Sequence, residues 1–88
     1  MQERQLTIVN RLGLHARAAA KLVSLCSRYV SNIVIVANGR RANGRQLIAI
    51  LLLSASMGAT VRIEASGPDE DDAVTAVTRL IANGFGEG

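Results

Sequence analysis

Aromatic residues are scarce in this 88-residue sequence, which has one tyrosine, one phenylalanine and no tryptophan. The single cysteine, Cys26, excludes an internal disulfide framework, and the single histidine, His15, excludes a zinc site built from Cys and His pairs. The longest apolar run, residues 47–53, is far shorter than the roughly 20 residues that a membrane span needs. The first residues show no apolar signal core, so we expect a cytoplasmic protein without membrane insertion.

Apolar residues are nevertheless plentiful enough for one core. They make up 49% of the chain, and charged residues make up 19%, so folding does not depend on disulfides or on a metal ion. A chain of this length has no room for a second core. We therefore expect residues 1–88 to form one domain, a monomer that needs no metal and no cofactor.

Positive charge is concentrated in the first two-thirds of the chain. Residues 1–62 carry a net charge of +8 and residues 63–88 carry −5, which gives +3 overall. A basic balance suggests a nucleic-acid partner, but sheet-based RNA readers stack bases on aromatic strand residues. Neither Tyr29 nor Phe85 falls in a predicted strand. We expect no nucleic-acid binding, keep it as a remote alternative, and expect the basic part to face acidic partners.

Apolar periodicity and turn residues predict the order strand, helix, strand, strand, helix, strand, helix. The predicted segments are residues 5–9, 16–28, 33–36, 40–42, 47–53 and 60–66, and a last helix between Gly67-Pro68 and Asn83-Gly84. Periodicity alone does not assign 47–53. We favour a short helix there, because Leu and Ala outnumber β-branched residues. This order most simply builds one antiparallel or mixed sheet with helices on a single face.

The only histidine lies at a predicted loop-to-helix junction, in Gly13-Leu14-His15-Ala16-Arg17. A helix N-terminus presents unpaired N–H groups and a positive dipole end, which attract anions. The same field disfavours imidazolium, so we expect a neutral ring with a nucleophilic nitrogen near pH 7. Arg17 and the backbone amides of Ala16, Arg17 and Ala18 suit a phosphoryl group that this ring accepts. The alternative is a histidine with a surface or packing role only.

The segment Asn10–Arg17 resembles the phosphorylation-site motif of the HPr family, the histidine-containing phosphocarriers of the bacterial phosphotransferase system. The resemblance covers essentially the whole chain, including the Asn38-Gly39 hairpin, Leu47-Ile48 and Gly67–Glu70. It implies an α+β, open-faced β-sandwich, in which a four-stranded antiparallel sheet carries three helices on one face in the order βαββαβα.

The resemblance also implies a function. His15 would take a phosphoryl group from enzyme I on Nδ1, not Nε2, and pass it to EIIA-type domains, with Arg17 stabilising the phosphate. Enzyme I is itself charged from phosphoenolpyruvate in this system. A member of the family is a carrier without turnover of its own, so we do not expect an enzyme. A small-molecule regulatory domain is a further alternative, although no residue pattern marks a ligand pocket.

The apolar run 47–53 gains a second interpretation from the resemblance. A short helix that is apolar all round cannot bury every side chain on a one-layer core. We interpret its exposed residues as part of a partner-docking patch beside His15, and the alternative is that the whole run packs inward. The predicted docking residues are Ala20, Lys21, Ser24, Ser27, Leu47, Ile48 and Leu51.

Three positions depart from the family pattern. Ala18 replaces the usual proline, which should loosen the first helical turn. Gln46 stands at the regulatory serine position, so we expect no control by HPr kinase and a weaker helix start, at a cost of roughly 1 kcal/mol. Leu12 replaces an asparagine that is common in sugar-transport members. Together with Gly67-Pro68 and Asn83–Phe85, it resembles the proteobacterial branch that includes the nitrogen-related carrier NPr, and the pathway stays open.

Overall fold

The chain forms four strands and three helices in the order βαββαβα, and the computed structural model describes residues 1–87. The elements are β1 (Gln2–Thr7), α1 (Ala16–Cys26), β2 (Asn32–Ala37), β3 (Arg40–Asn43), α2 (Leu47–Leu52), β4 (Thr60–Ser66) and α3 (Glu70–Ala82), followed by a 3₁₀ segment, the C-terminal turn (Gly84–Gly86). The predicted order is confirmed. The longest helix within residues 1–87 has 13 residues, and none is long and apolar enough to cross a membrane.

Three predicted boundaries are wrong by two or three residues, and one of them is the end of β1, which lies at Thr7 instead of residue 9. The first strand begins at Gln2 instead of residue 5, because backbone pairing with β4 continues to the Gln2–Ala65 pair, beyond the apolar alternation. The first helix ends at Cys26 instead of residue 28. There the amides of Arg28 and Tyr29 bond the carbonyls three residues earlier, so the chain tightens into a 3₁₀-like turn.

The sheet is antiparallel throughout, with the strand order β1-β4-β2-β3. The central strand β4 pairs with β1 on one side and with β2 on the other. The β2–β3 hairpin turns at Asn38 and Gly39, whose φ values of 53° and 75° suit the type I′ turn that the Asn-Gly pair predicts. Two strands that are distant in the sequence, β1 and β4, thus lie side by side.

One face of the sheet is buried under the helices. Alternate residues of β2 and β4, such as Ile35 and Ile63, are fully buried, while Val34 and Glu64 on the other face are only partly covered. Leu22 of α1 and Val77 of α3 are also fully buried and complete this core. The predicted open-faced sandwich is confirmed.

The start of α3 is tied to the loop between α1 and β2. The Asp69 carboxylate does not cap its own helix. Instead it accepts hydrogen bonds from the amides of Val30 (2.9 Å) and Ser31 (2.8 Å) and from the Ser31 hydroxyl. The neighbouring Glu70 accepts from the Gly67 amide at 3.2 Å and pairs with the N-terminal amino group at 2.9 Å. These contacts hold the start of α3 against the loop before β2 and against the N-terminus.

The helix α2 begins without a side-chain cap. Gln46 precedes it in an extended conformation and makes no capping hydrogen bond. This six-residue helix thus lacks the stabilisation that a side-chain cap would give. Burial of Ile50 and Leu53 under the rest of the core holds the helix in place instead.

Candidate functional site

His15 is the residue that caps α1. Its backbone is extended (φ −75°, ψ 177°), and its Nδ1 accepts a hydrogen bond from the Arg17 amide at 3.2 Å. Its carbonyl accepts from the Ala19 amide at 2.9 Å, which closes the first helical turn. The imidazole therefore lies at the positive end of the helix, where an added anion is stabilised.

The second ring nitrogen of His15 contacts the Glu87 carboxylate. Because Nδ1 accepts a hydrogen bond from the Arg17 amide, it carries no proton in this arrangement. The hydrogen-bond partners thus assign the ring proton to Nε2, where it faces Glu87. The lone pair of Nδ1 is directed towards the beginning of α1.

Glu87 is held in place by a buried asparagine. Asn10 Nδ2 donates to Glu87 Oε1 at 3.0 Å and to the Gly13 carbonyl at 2.8 Å. The bond from Asn10 is the largest cause that lowers the pKa of the Glu87 carboxyl, and the contact with His15 lowers it further. Glu87 is consequently an anion that orients the ring through Nε2.

The C-terminal turn brings Glu87 back to His15. Gly84, Phe85 and Gly86 all have left-handed φ values, between 58° and 74°. Glycine adopts such values readily, whereas Phe85 does so because its ring is fully buried and its carbonyl accepts from the Lys21 amine at 2.7 Å. The apolar anchor and the lysine thus fix the direction in which the chain continues to Glu87.

Two site residues, Asn10 and Glu87, are missing from the set that the sequence predicts. The only sequence signal is an acid after an Asn-Gly-Phe-Gly ending. That signal does not show that residues 10, 15 and 87 meet. The His15 side chain is 24% exposed, and the Glu87 carboxylate lies against it.

The groups predicted to hold a phosphate belong to the start of α1, which His15 caps. Arg17 is exposed, and its guanidinium makes no hydrogen bond or ion pair with the rest of residues 1–87. The amides of Ala16 and Ala18 belong to the first helical turn, in which N–H groups lack intrahelical partners. The Arg17 amide already bonds Nδ1, so an incoming phosphoryl group would replace the lone pair as its acceptor.

The predicted docking residues come from α1 and α2, two helices that pack against each other. Ile48 is 67% exposed, Leu47 is 39% exposed and Leu51 is half-buried, so the run does not pack inward as a whole. Leu52, which is not among the predicted docking residues, is 57% exposed. The residues predicted on α1 are all exposed: Ala20, Lys21, Ser24 and, just after the helix, Ser27.

The open face of the sheet carries ion pairs. Glu64 bonds Arg41 at 2.7 Å and Arg62 at 2.9 Å, and Arg62 also pairs with Glu3 at 3.3 Å. The hydrogen bond from Arg41 is the largest cause that lowers the pKa of Glu64. Two of the ten basic residues, Arg41 and Arg62, are thus paired with acids on this face.

The buried thiol and the metal-ligand residue types add no second site. Burial raises the pKa of the Cys26 thiol to about 11, so Cys26 is a packing residue in the core and a poor nucleophile. Within residues 1–87, no three side chains of the His, Cys, Asp and Glu types cluster as a metal site would need. The groups around His15 are therefore the candidate site.

The fold and the His15 motif agree with a known family. The family model described as "PTS HPr component phosphorylation site" matches residues 2–83. The chain belongs to the HPr family. It is 47% identical over 88 residues to the phosphocarrier protein HPr of Cupriavidus necator, with 100% of this chain and 99% of that protein covered.

Relatives named HPr and a relative named NPr are both similar to the chain. The phosphocarrier protein NPr of Shewanella violacea is 41% identical over 85 residues, with 97% of this chain and 93% of that protein covered. The crystal structure of an HPr from Thermoanaerobacter tengcongensis superimposes with a TM-score of 0.95 at 36% identity, covering 100% and 99% of the two chains. The chain is thus an HPr-type phosphocarrier of the phosphotransferase-system family, and such proteins are carriers and not catalysts.

Proposed function

We propose that His15 is the phosphoacceptor of this carrier, through Nδ1. The observation that carries the proposal is the pair of contacts on the imidazole. The hydrogen bond from the Arg17 amide to Nδ1 supports Nδ1 as the unprotonated nitrogen, and the contact with the Glu87 carboxylate supports a proton on Nε2. The ring presents its nucleophilic atom to the end of the helix where phosphate is best stabilised.

The transfer follows from these positions. The Nδ1 lone pair forms the bond to phosphorus, while the bond between phosphorus and the donor breaks and its electrons leave with the donor. Nε2 keeps its proton, so the ring acquires positive charge, which the Glu87 carboxylate stabilises. The transferred group takes hydrogen bonds from the amides of Ala16, Arg17 and Ala18 and from the Arg17 guanidinium. The reverse sequence hands the group to an acceptor.

The proposed donor is enzyme I, and the proposed acceptors are EIIA-type domains, in the cytoplasm and with the carrier as a monomer. Both partners would dock on the surface formed by α1 and α2, where exposed apolar residues are next to polar ones. The proposed docking residues are those predicted from the sequence: Ala20, Lys21, Ser24, Ser27, Leu47, Ile48 and Leu51.

A carrier of the nitrogen-related regulatory branch is the second candidate. It is favoured by the similarity to an NPr and by Leu12, an exposed apolar residue before His15. Rates of transfer from the phosphorylated chain to sugar-type and nitrogen-type EIIA domains separate the two. A preference of about tenfold or more for one acceptor class, roughly 1.4 kcal/mol in barrier height, would identify the branch.

Mass spectrometry after incubation with enzyme I and phosphoenolpyruvate tests the proposed site. We expect one phosphoryl group on the wild type, lost in acid and retained in base, and none on His15→Ala. Thermal unfolding of the variant checks that it is folded, because His15 also caps α1. An acid-stable group, or a group that persists on His15→Ala, would contradict the proposal.

A further inference from the structure

A cleft of about 490 Å³ lies between the loop that precedes α1 and the C-terminal turn, and one of its lining residues is Glu87, which contacts His15. Its size is within the range of pockets that receive a ligand or a partner's side chain. It shares Lys21 with the proposed docking residues of α1, but no residue of α2 lines it. The lining residues are Arg11, Leu12, Arg17, Lys21, Gly86 and Glu87.

The charge of the cleft is positive and partly uncompensated. Its single acid, Glu87, is engaged through both oxygens, by Asn10 and by His15. The Lys21 amine is directed to the Phe85 carbonyl. The guanidinium groups of Arg11 and Arg17 make no hydrogen bond or ion pair within residues 1–87. Two planar forks at one cleft are suited to a carboxylate.

The loop that carries Arg11 is fixed by buried contacts. The Gly13 amide bonds the Asn10 carbonyl at 3.1 Å, and the Leu14 amide bonds the Ala55 carbonyl at 2.8 Å. Gly13 has a φ of +64°, and a Cβ there would lie 2.5 Å from the Ala55 oxygen, so the loop packs too closely for any side chain. The arginine is therefore presented on a rigid support, which lowers the entropic cost of binding.

Leu12 lies at the same cleft and is 70% exposed. An exposed leucine next to an unpaired arginine contributes little to the stability of this fold. Arginine is enriched among the residues that dominate protein–protein binding energy, and an exposed apolar side chain beside it adds area that a partner can bury. The pair thus fits a protein partner better than a free inorganic anion, which would make no use of Leu12.

We propose that this cleft is a second docking subsite, in which Arg11 binds a carboxylate side chain of enzyme I while Leu12 contacts an apolar neighbour of that acid. The proposal rests on the proposed function, because the partner is the phosphoryl donor. Arg17 lines both the cleft and the phosphate site, so a partner held by Arg11 is positioned next to His15. Arg11 acts in recognition of the partner and not in the chemical step.

Steady-state phosphorylation by enzyme I tests the subsite. Arg11→Glu reverses the charge, and we expect it to lower kcat/KM about tenfold through KM. Arg11→Lys keeps the charge but loses the fork, and we expect a loss of about threefold. The matched control is Arg4→Glu, an equal charge change on β1, with an effect below about twofold. Salt screens the charge of Arg11, so the difference in kcat/KM between Arg11→Glu and Arg4→Glu should be smaller at about 300 mM salt than at about 50 mM.

Three results would overturn the subsite. They are equal kinetics for Arg11→Glu and Arg4→Glu, a loss in kcat with unchanged KM, and a shift of the Arg11 side-chain resonances by inorganic phosphate but not by enzyme I.

Labelling of the wild type is measured in parallel. If the wild type is not labelled on His15, the proposed function fails and the subsite fails with it. If it is labelled and Arg11→Glu matches the control, the subsite alone fails. Arg11→Gln replaces Arg11→Glu if thermal unfolding shows that the latter is not folded.

Discussion

A carboxylate contacts a neighbouring loop at each end of α3: Asp69 at the start of the helix and Glu87 beyond its end. Asp69 is bound mainly by backbone amides, and Glu87 is bound by side chains. At the first end, Asp69 accepts from the backbone amides of Val30 and Ser31 and from the Ser31 hydroxyl. Beyond the second end, Glu87 accepts from the side chains of Asn10 and His15. Hydrogen bonds lower the pKa of both carboxyls.

Backbone donors and side-chain donors should respond differently when their carboxylate is removed. A backbone amide is fixed by the fold, so it loses its partner when the carboxylate is removed. A side-chain donor such as the His15 ring can rotate towards water, and the loss is then mainly one of orientation. The Asp69 end should therefore govern the unfolding temperature, and the Glu87 end should govern the rate of phosphoryl transfer.

The largest expected effect is that of Asp69→Ala on stability. Removal of the carboxylate leaves the amides of Val30 and Ser31 without their acceptor, and we expect Tm to fall by about 5 to 10 °C. Transfer from enzyme I should change by less than about twofold. The matched control, Asp71→Ala, removes an exposed acid from the same helical turn and should leave Tm within about 2 °C. An Asp69→Ala protein with an unchanged Tm but a lower rate of phosphoryl transfer would contradict the assignment of Asp69 to stability.

Glu87→Gln should have the opposite profile. The amide keeps the shape of the side chain but no longer stabilises the positive charge of the phosphorylated ring, so we expect transfer to slow by about fivefold. Tm should stay within about 2 °C. Quench-flow measurement of the single-turnover rate with phosphorylated enzyme I gives the effect on the chemical step. Glu87→Asp, which keeps the charge, should recover part of the loss. An unchanged rate with a lower Tm would make Glu87 a structural residue only.

The smallest expected effect is on the pH dependence of stability. The pKa of Asp69 is lowered in the folded chain, chiefly by the Ser31 hydroxyl and then by the Val30 amide. Its contribution is therefore fully present above the unfolded value, about 3.9, and is lost as the pH falls through the lower folded value. We expect Asp69→Asn to flatten the fall of Tm between about pH 6 and pH 2 relative to the wild type.

Asp71→Asn serves as the control for the acid titration, because it removes an acid without the loop contacts of Asp69. Its Tm should follow that of the wild type over the whole range. Equal flattening by both variants would mean that the acid loss arises from the general charge of the helix start and not from the Asp69 contacts. Glu87→Gln, whose carboxyl also has a lowered pKa, should flatten the curve less than Asp69→Asn does.

Local patterns predicted most of the fold. The alternation of β4 matches Thr60–Ser66 residue for residue, and the Asn38-Gly39 pair gives the hairpin, because both features depend on neighbours in the chain. The ends of α1 and β1 were less predictable. They depend on the strand pairing with β4 and on hydrogen bonds after Cys26, which involve partners that periodicity does not contain.

For the candidate site, the local sequence was enough to predict His15, the start of α1 and Arg17, because these three lie within three residues of one another. The full structure was needed to show that Nδ1 of His15 accepts from the helix and that the Glu87 carboxylate lies against Nε2. Asn10, His15 and Glu87 meet because the sheet pairs β1 with β4 and because buried Phe85 turns the chain end back towards α1. Contacts between residues more than 70 positions apart arise from packing of the whole core, so no local sequence pattern predicts them.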